Sequence, residues 1–164
     1  MSTRRLQGLA LILSAVGFLL GAFVPETSIV LTISVILFIL GIPAVYSAQP
    51  TGWIGLVGIV LLELAALIAL GFRLKMVPPS SLGDALSLTS AILGMLGAVI
   101  IGWLTTREHV FPAWVGWIFM AQGLLNFIAG LFNIGTPGRS FLILIPILQT
   151  VATFAYGYFI YQLQ

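Results

Sequence analysis

The sequence predicts an all-α fold, a polytopic bundle of about six membrane-spanning helices, and three observations carry that expectation. Of its 164 residues, 60% are hydrophobic and only 6% charged, with a mean hydropathy of +1.21. Soluble domains are about 45–50% apolar and about 25% charged. A soluble fold of this size buries only about two-thirds of the surface its chain could expose, so the apolar excess calls for a bilayer as solvent. Finally, six apolar runs are long enough to cross a core of about 30 Å at about 1.5 Å per residue. The connections are too short for a second, water-soluble domain, and residues 1–164 read as one integral-membrane unit.

The first run, Leu6 to Val24, follows Arg4-Arg5 and stops at Pro25-Glu26-Thr27. It is longer than the about 7–15 apolar residues of a secretory signal and no A-x-A-like site follows, so it is expected to stay as the first helix. Ser28 to Tyr46 forms the second, with Pro43 kinking its last turns. The turn Ser47 to Thr51 leads into the third, Gly52 to Phe72. Arg73 to Gly83 is the longest connection, broken by Pro78-Pro79, and Asp84 is the expected N-cap of a fourth helix ending near Leu104. Thr105 to Phe111 reads as a loop carrying Arg107, Glu108 and His109. Pro112 suits the first turn of the fifth helix, which reaches Asn133. After the Gly135-Thr136-Pro137-Gly138 turn, Ser140 to Tyr161 makes the sixth, with Pro146 inside it.

Tyr46, Trp53, Trp103, Trp114, Trp117, Tyr158 and Tyr161 fall near these ends, where amphipathic rings sit at the membrane interface. Orientation is nearly balanced. A cytoplasmic N-terminus puts Arg4, Arg5 and Arg107 inside against Arg73, Lys75 and Arg139 outside, and the first helix tips the reading slightly towards N-inside.

Helices three and six align without gaps at an offset of 86 residues, which pairs Gly52, Leu56, Ile59 and Leu62 with Gly138, Leu142, Ile145 and Leu148. Glu63 then falls opposite Gln149. Helices one and four align at an offset of 76, pairing Leu20-Gly21-Ala22 with Leu96-Gly97-Ala98, while helices two and five show no match. The expectation is two inverted three-helix repeats, 6–72 and 84–161, an arrangement that places a binding site at mid-membrane between the halves.

Glu63 is the only ionisable residue inside an apolar run, at an insertion cost of about 2–3 kcal/mol. Gln122, Asn126 and Asn133 stack on one face of helix five, and amides in hydrocarbon need partners. The expected ligand- or ion-binding site is therefore Glu63 with Gln122 and Asn126, joined by Gln149. Its bland counterpart is a neutral Glu63 that locks helix three to helix five. Small residues let helices approach closely, so Gly17 and Gly21 on helix one, and Gly94 and Gly97 on helix four, read as packing positions.

Several chemistries are excluded. The chain has no cysteine and one histidine, His109, so no metal, haem or iron–sulfur site is expected. No phosphate loop, nucleophile elbow or paired acids occur, which argues against an enzyme and for no cofactor. Arg4-Arg5 and Arg73-Leu74-Lys75 are headgroup contacts rather than a nucleic-acid patch. The expected function is a transporter or channel for a small solute or ion at the Glu63 site. The alternative is an accessory or structural subunit of a larger membrane complex. Expected partners are the lipid bilayer and a homo-oligomer or membrane-complex partner, and the expected location is a prokaryotic inner membrane.

Overall fold

Each apolar run folds as a helix because a backbone in hydrocarbon must satisfy its own hydrogen bonds. A computed structural model of the chain describes residues 2–23, 28–49, 52–77, 81–131 and 139–163, without the side chains of residues 22, 28 and 139–143. Its helices are α1 (Thr3–Phe23), α2 (Ser28–Gly41), α3 (Pro43–Ala48), α4 (Gly52–Arg73), α5 (Ser81–Glu108), α6 (Ala113–Leu131) and α7 (Arg139–Gln162). With α2 and α3 counted as one broken span, six helices among the described residues are long and apolar enough to cross a membrane. The expected turns at residues 25–27, 78–80 and 135–138, and Asn133, lie outside the described residues.

Two boundaries differ from the sequence reading. Asp84 does not cap its helix; α5 starts at Ser81 and holds Asp84 in its first turn, where a carboxylate complements the helix dipole. The loop expected from Thr105 is also helical, through Glu108. No breaker precedes Pro112, and Thr106 Oγ1 donates to the Trp103 carbonyl at 2.7 Å while the Arg107 guanidinium lies 4.2 Å over the Trp103 ring. His109 then leaves the helix with φ 54. Pro43 does more than kink its span. Lacking an N–H, it divides the span at Ile42, and Val45 N donates to the Ile42 carbonyl at 3.0 Å as the chain restarts in α3.

The spans form a closed ring in chain order, each packed on the next, with α7 closing on α1. The seams are unequal. α1 packs extensively on α2 and α7, and α5 packs extensively on α4 and α6, whereas α2–α4 and α6–α7 touch more sparingly. Glycine makes the tight seams possible. A Cβ on Gly157 would lie 2.7 Å from the Gly8 carbonyl oxygen, one on Gly97 2.8 Å from the Gly58 oxygen, and one on Gly102 2.6 Å from the Gly116 oxygen. Gly17 faces Ser34 and Gly21 faces Leu31 across the α1–α2 seam. Gly94 has more room, its Cβ position being 3.6 Å from the Ala65 Cβ.

Helix-to-helix hydrogen bonds reinforce the seams. Ser14 Oγ donates to the Ser34 carbonyl at 2.8 Å, and Ser90 Oγ to the Ala65 carbonyl at 3.0 Å. The outer surface is apolar, with exposed Leu, Ile and Val side chains on every span. The end carrying both chain termini, called here the termini end, holds all four tryptophans, each exposed, together with Tyr46, Tyr158 and Tyr161. Arg5 also lies there, over the Tyr161 ring at 5.9 Å.

Candidate solute cavity

A ring of six helices cannot fill its own axis with small residues, and an opening of about 560 Å³ remains between them. All six spans contribute walls. Phe18, Leu31, Phe38, Leu62, Met95 and Phe119 supply apolar surface, and Ser87, Ser90, Gln122, Asn126 and Gln149 supply the polar groups. The lining runs along α4 from Leu62 to Arg73, a drop of about 16 Å. The described lining therefore reaches from mid-bundle to the far end, where α4 stops at Arg73; that end of the cavity is called here its mouth.

Three of the expected site residues meet here. Gln122 is buried and has no hydrogen-bond partner among the described residues; its amide borders the cavity with those of Asn126 and Gln149. Asn126 lies one turn nearer the mouth than Gln122 on α6, and Gln149 comes from α7. An amide in hydrocarbon without a partner is costly. A cavity that admits water or a polar solute satisfies it.

Glu63 is not among the lining residues. The cause is helical twist: Leu62, Ala65, Ala66, Ala69 and Arg73 mark the cavity face of α4, and Glu63 sits about 100° round from Leu62. It is half-buried on the flank of the helix, with no hydrogen bond among the described residues. The expected pairing of Glu63 with Gln122 and Asn126 is therefore not formed, and the charge at the cavity is Arg73 instead. Glu63→Leu is expected to leave solute entry and labelling of the cavity unchanged within about twofold, because the apolar flank accepts leucine. A larger loss of entry would return Glu63 to the working site.

Below the cavity floor, a second polar group closes the termini end. Gln49 Nε2 donates to Thr105 Oγ1 at 2.8 Å, and Thr105 Oγ1 shares a 2.7 Å hydrogen bond with the Tyr156 hydroxyl. The Tyr156 ring is held edge-on by Phe111 and Phe119, with centroids at 5.2 and 5.3 Å. Phe119 also belongs to the cavity wall, so these rings separate the cavity from the termini end. On α7, Gln149, Thr153 and Tyr156 share one face, and the buried Thr153 Oγ1 and Gln49 Oε1 have no partner among the described residues. Beside Ser87 and Ser90, a file of polar groups thus follows the bundle from end to end: Arg73, Asn126, Gln122 with Gln149, Thr153, Tyr156 with Thr105, then Gln49.

Sequence reasoning missed the lower half of this file and the residue at its far end. Gln49 reads as a turn residue, Thr105 as a loop residue and Arg73 as a headgroup contact. The available signal was the four- and three-residue spacing of Gln149, Thr153 and Tyr156. Among the described residues no group of His, Asp and Glu could hold a metal ion. No protein-family model matches the chain, and neither a curated protein nor a solved structure does.

Proposed function

We propose that the chain is a non-enzymatic carrier in a membrane, with a prokaryotic inner membrane as its expected home. It takes a small polar solute into the cavity from the far end and releases it at the termini end. The observation that carries this reading is the cavity between all six spans, with the buried Gln122, unpartnered among the described residues, on its wall.

The seams support it too. The tight contacts group α1, α2 and α7 into one body, with α3 as the continuation of α2, and α4, α5 and α6 into another, and the sparing α2–α4 and α6–α7 seams lie between them. The Gln49–Thr105–Tyr156 chain crosses from one body to the other and back at the closed end. Rocking at the two loose seams, with that chain broken, would open the termini end and narrow the far end. Exchanging α1 with α5, α2 with α6 and α4 with α7 carries each tight seam onto a tight seam and each loose one onto a loose one. That favours the inverted-repeat reading, whose usual consequence is a site at mid-membrane. Glycine faces engaged inside the bundle favour a self-contained carrier over a subunit that needs them for docking.

The cysteine-free chain makes the test direct. In vesicles of known orientation, the Asn126→Cys protein is expected to react with an impermeant thiol reagent from the far end and not from the termini end. Osmotically shrunken proteoliposomes should re-swell faster than protein-free vesicles in at least one member of a panel of small acids, amides and polyols. An inert thiol at position 126 together with protein-free re-swelling rates would end the carrier reading.

A further inference from the structure

The geometry points to the charge of the solute: the cavity selects a small organic anion, whose carboxylate or phosphate meets Arg73 while its body lies among the amides and apolar walls below. This inference rests on the carrier reading and adds the substrate class to it. Arg73 is the only charged residue among the described lining residues, and no ion pair engages it within them. Its planar guanidinium offers a fork that fits carboxylate and phosphate oxygens in pairs. Lys75, exposed two residues on, adds a second cation at the same end.

Among the described residues, the acids of the spans stay clear. Glu63 lies on the flank of α4, and Asp84, in the first turn of α5, is exposed and does not border the cavity. Amides alone would not choose, since Gln122, Asn126 and Gln149 each offer both a donor and an acceptor. Arg73 breaks that tie. Positive charge at the mouth of a low-dielectric funnel also raises the local concentration of anions over cations. The volume of 560 Å³ lies within the about 300–1,000 Å³ of small-molecule sites, and the Phe18, Phe38 and Phe119 walls suit an organic rather than a fully hydrated inorganic ion.

The test reads the charge preference of the cavity itself, whatever the solute. The Asn126→Cys protein is treated with two methanethiosulfonate reagents of similar size, one bearing a sulfonate and one a trimethylammonium group, each rate divided by that of a free thiol in solution. The anionic reagent is expected to be favoured about tenfold. Arg73→Gln should collapse the preference towards unity, and Arg73→Lys, which keeps the charge should topology depend on it, should retain most of it. Reaction with both reagents at equal normalised rates overturns the anion inference and leaves the carrier reading standing. Reaction with neither overturns the anion inference and, together with protein-free re-swelling rates, the carrier reading as well.

A second arm identifies the source of the anion. In phosphatidylcholine vesicles, protection of the introduced thiol from a neutral reagent by benzoate and not by benzamide supports a soluble organic anion. Protection that appears only when phosphatidylglycerol is included supports the same chemistry drawn from a lipid headgroup. Protection by neither overturns the assignment.

Discussion

Alanine at Gly157 is expected to loosen α7 from α1 and to lower stability markedly for a change of one methyl group. Its Cβ would sit 2.7 Å from the Gly8 carbonyl oxygen and 2.8 Å from the Ile12 nitrogen. Both are backbone atoms of α1, so no side chain can rotate away and the whole helix must move. Overpacking of this kind costs about 1–3 kcal/mol. Gly94→Ala is the matched control. There the added methyl meets the Ala65 Cβ at 3.6 Å, ordinary contact, and alanine gains up to about 1 kcal/mol in helix propensity. Unfolding in mixed micelles should separate the two variants clearly. Equal stabilities would mean that backbone contact does not set the α1–α7 seam.

Tyr156→Ala is expected to turn a one-ended cavity into a leak. The ring is fully buried between Phe111 and Phe119, and its hydroxyl ends the chain from Gln49 through Thr105. Its removal empties the space between cavity and termini end, at a stability cost of about 3–5 kcal/mol. Combined with Asn126→Cys, it should let the cavity thiol react from both faces of the vesicle, and small solutes should pass without saturation. Tyr156→Phe separates seal from latch, because it keeps the ring and removes one hydrogen bond worth about 0.6 kcal/mol in a membrane bundle. In that variant the same thiol should remain reachable from one face at rest. One-sided labelling in Tyr156→Ala would remove these rings from the barrier.

Much of the fold was legible because lipid imposes a simple rule: long apolar runs become helices, and Pro43 and Pro112 mark breaks. The errors sit where a polar residue has a use inside the bundle. Thr105 reads as the start of a loop because hydroxyls and charges follow it, yet it is fully buried and bonded to Gln49 and to Tyr156 on α7. Three of the four expected binding residues, Gln122, Asn126 and Gln149, meet around one cavity. Glu63 does not, because composition shows that a carboxylate is present but not which way one residue of twist aims it. In a soluble helix the polar face would have given that angle. Here both faces of α4 are apolar, one towards lipid and one towards the axis, and the periodicity signal nearly vanishes.

The slenderness of the closure at the termini end has an energetic consequence. Among the described residues, two hydrogen bonds and three edge-on ring contacts span the bodies there, at about 0.6 kcal/mol for each bond and about 0.5–1.5 kcal/mol for each ring pair. In the carrier cycle proposed above, their sum, a few kcal/mol, sets the scale of the gap between two shapes rather than a lock. A gap of that size leaves the minor shape populated at about 0.1–10%. A solute that prefers it by about a hundredfold supplies about 2.7 kcal/mol, enough to bring the two shapes near balance. On this reading the empty protein already visits the conformation its solute will choose, and occupancy of the cavity only weights the beam.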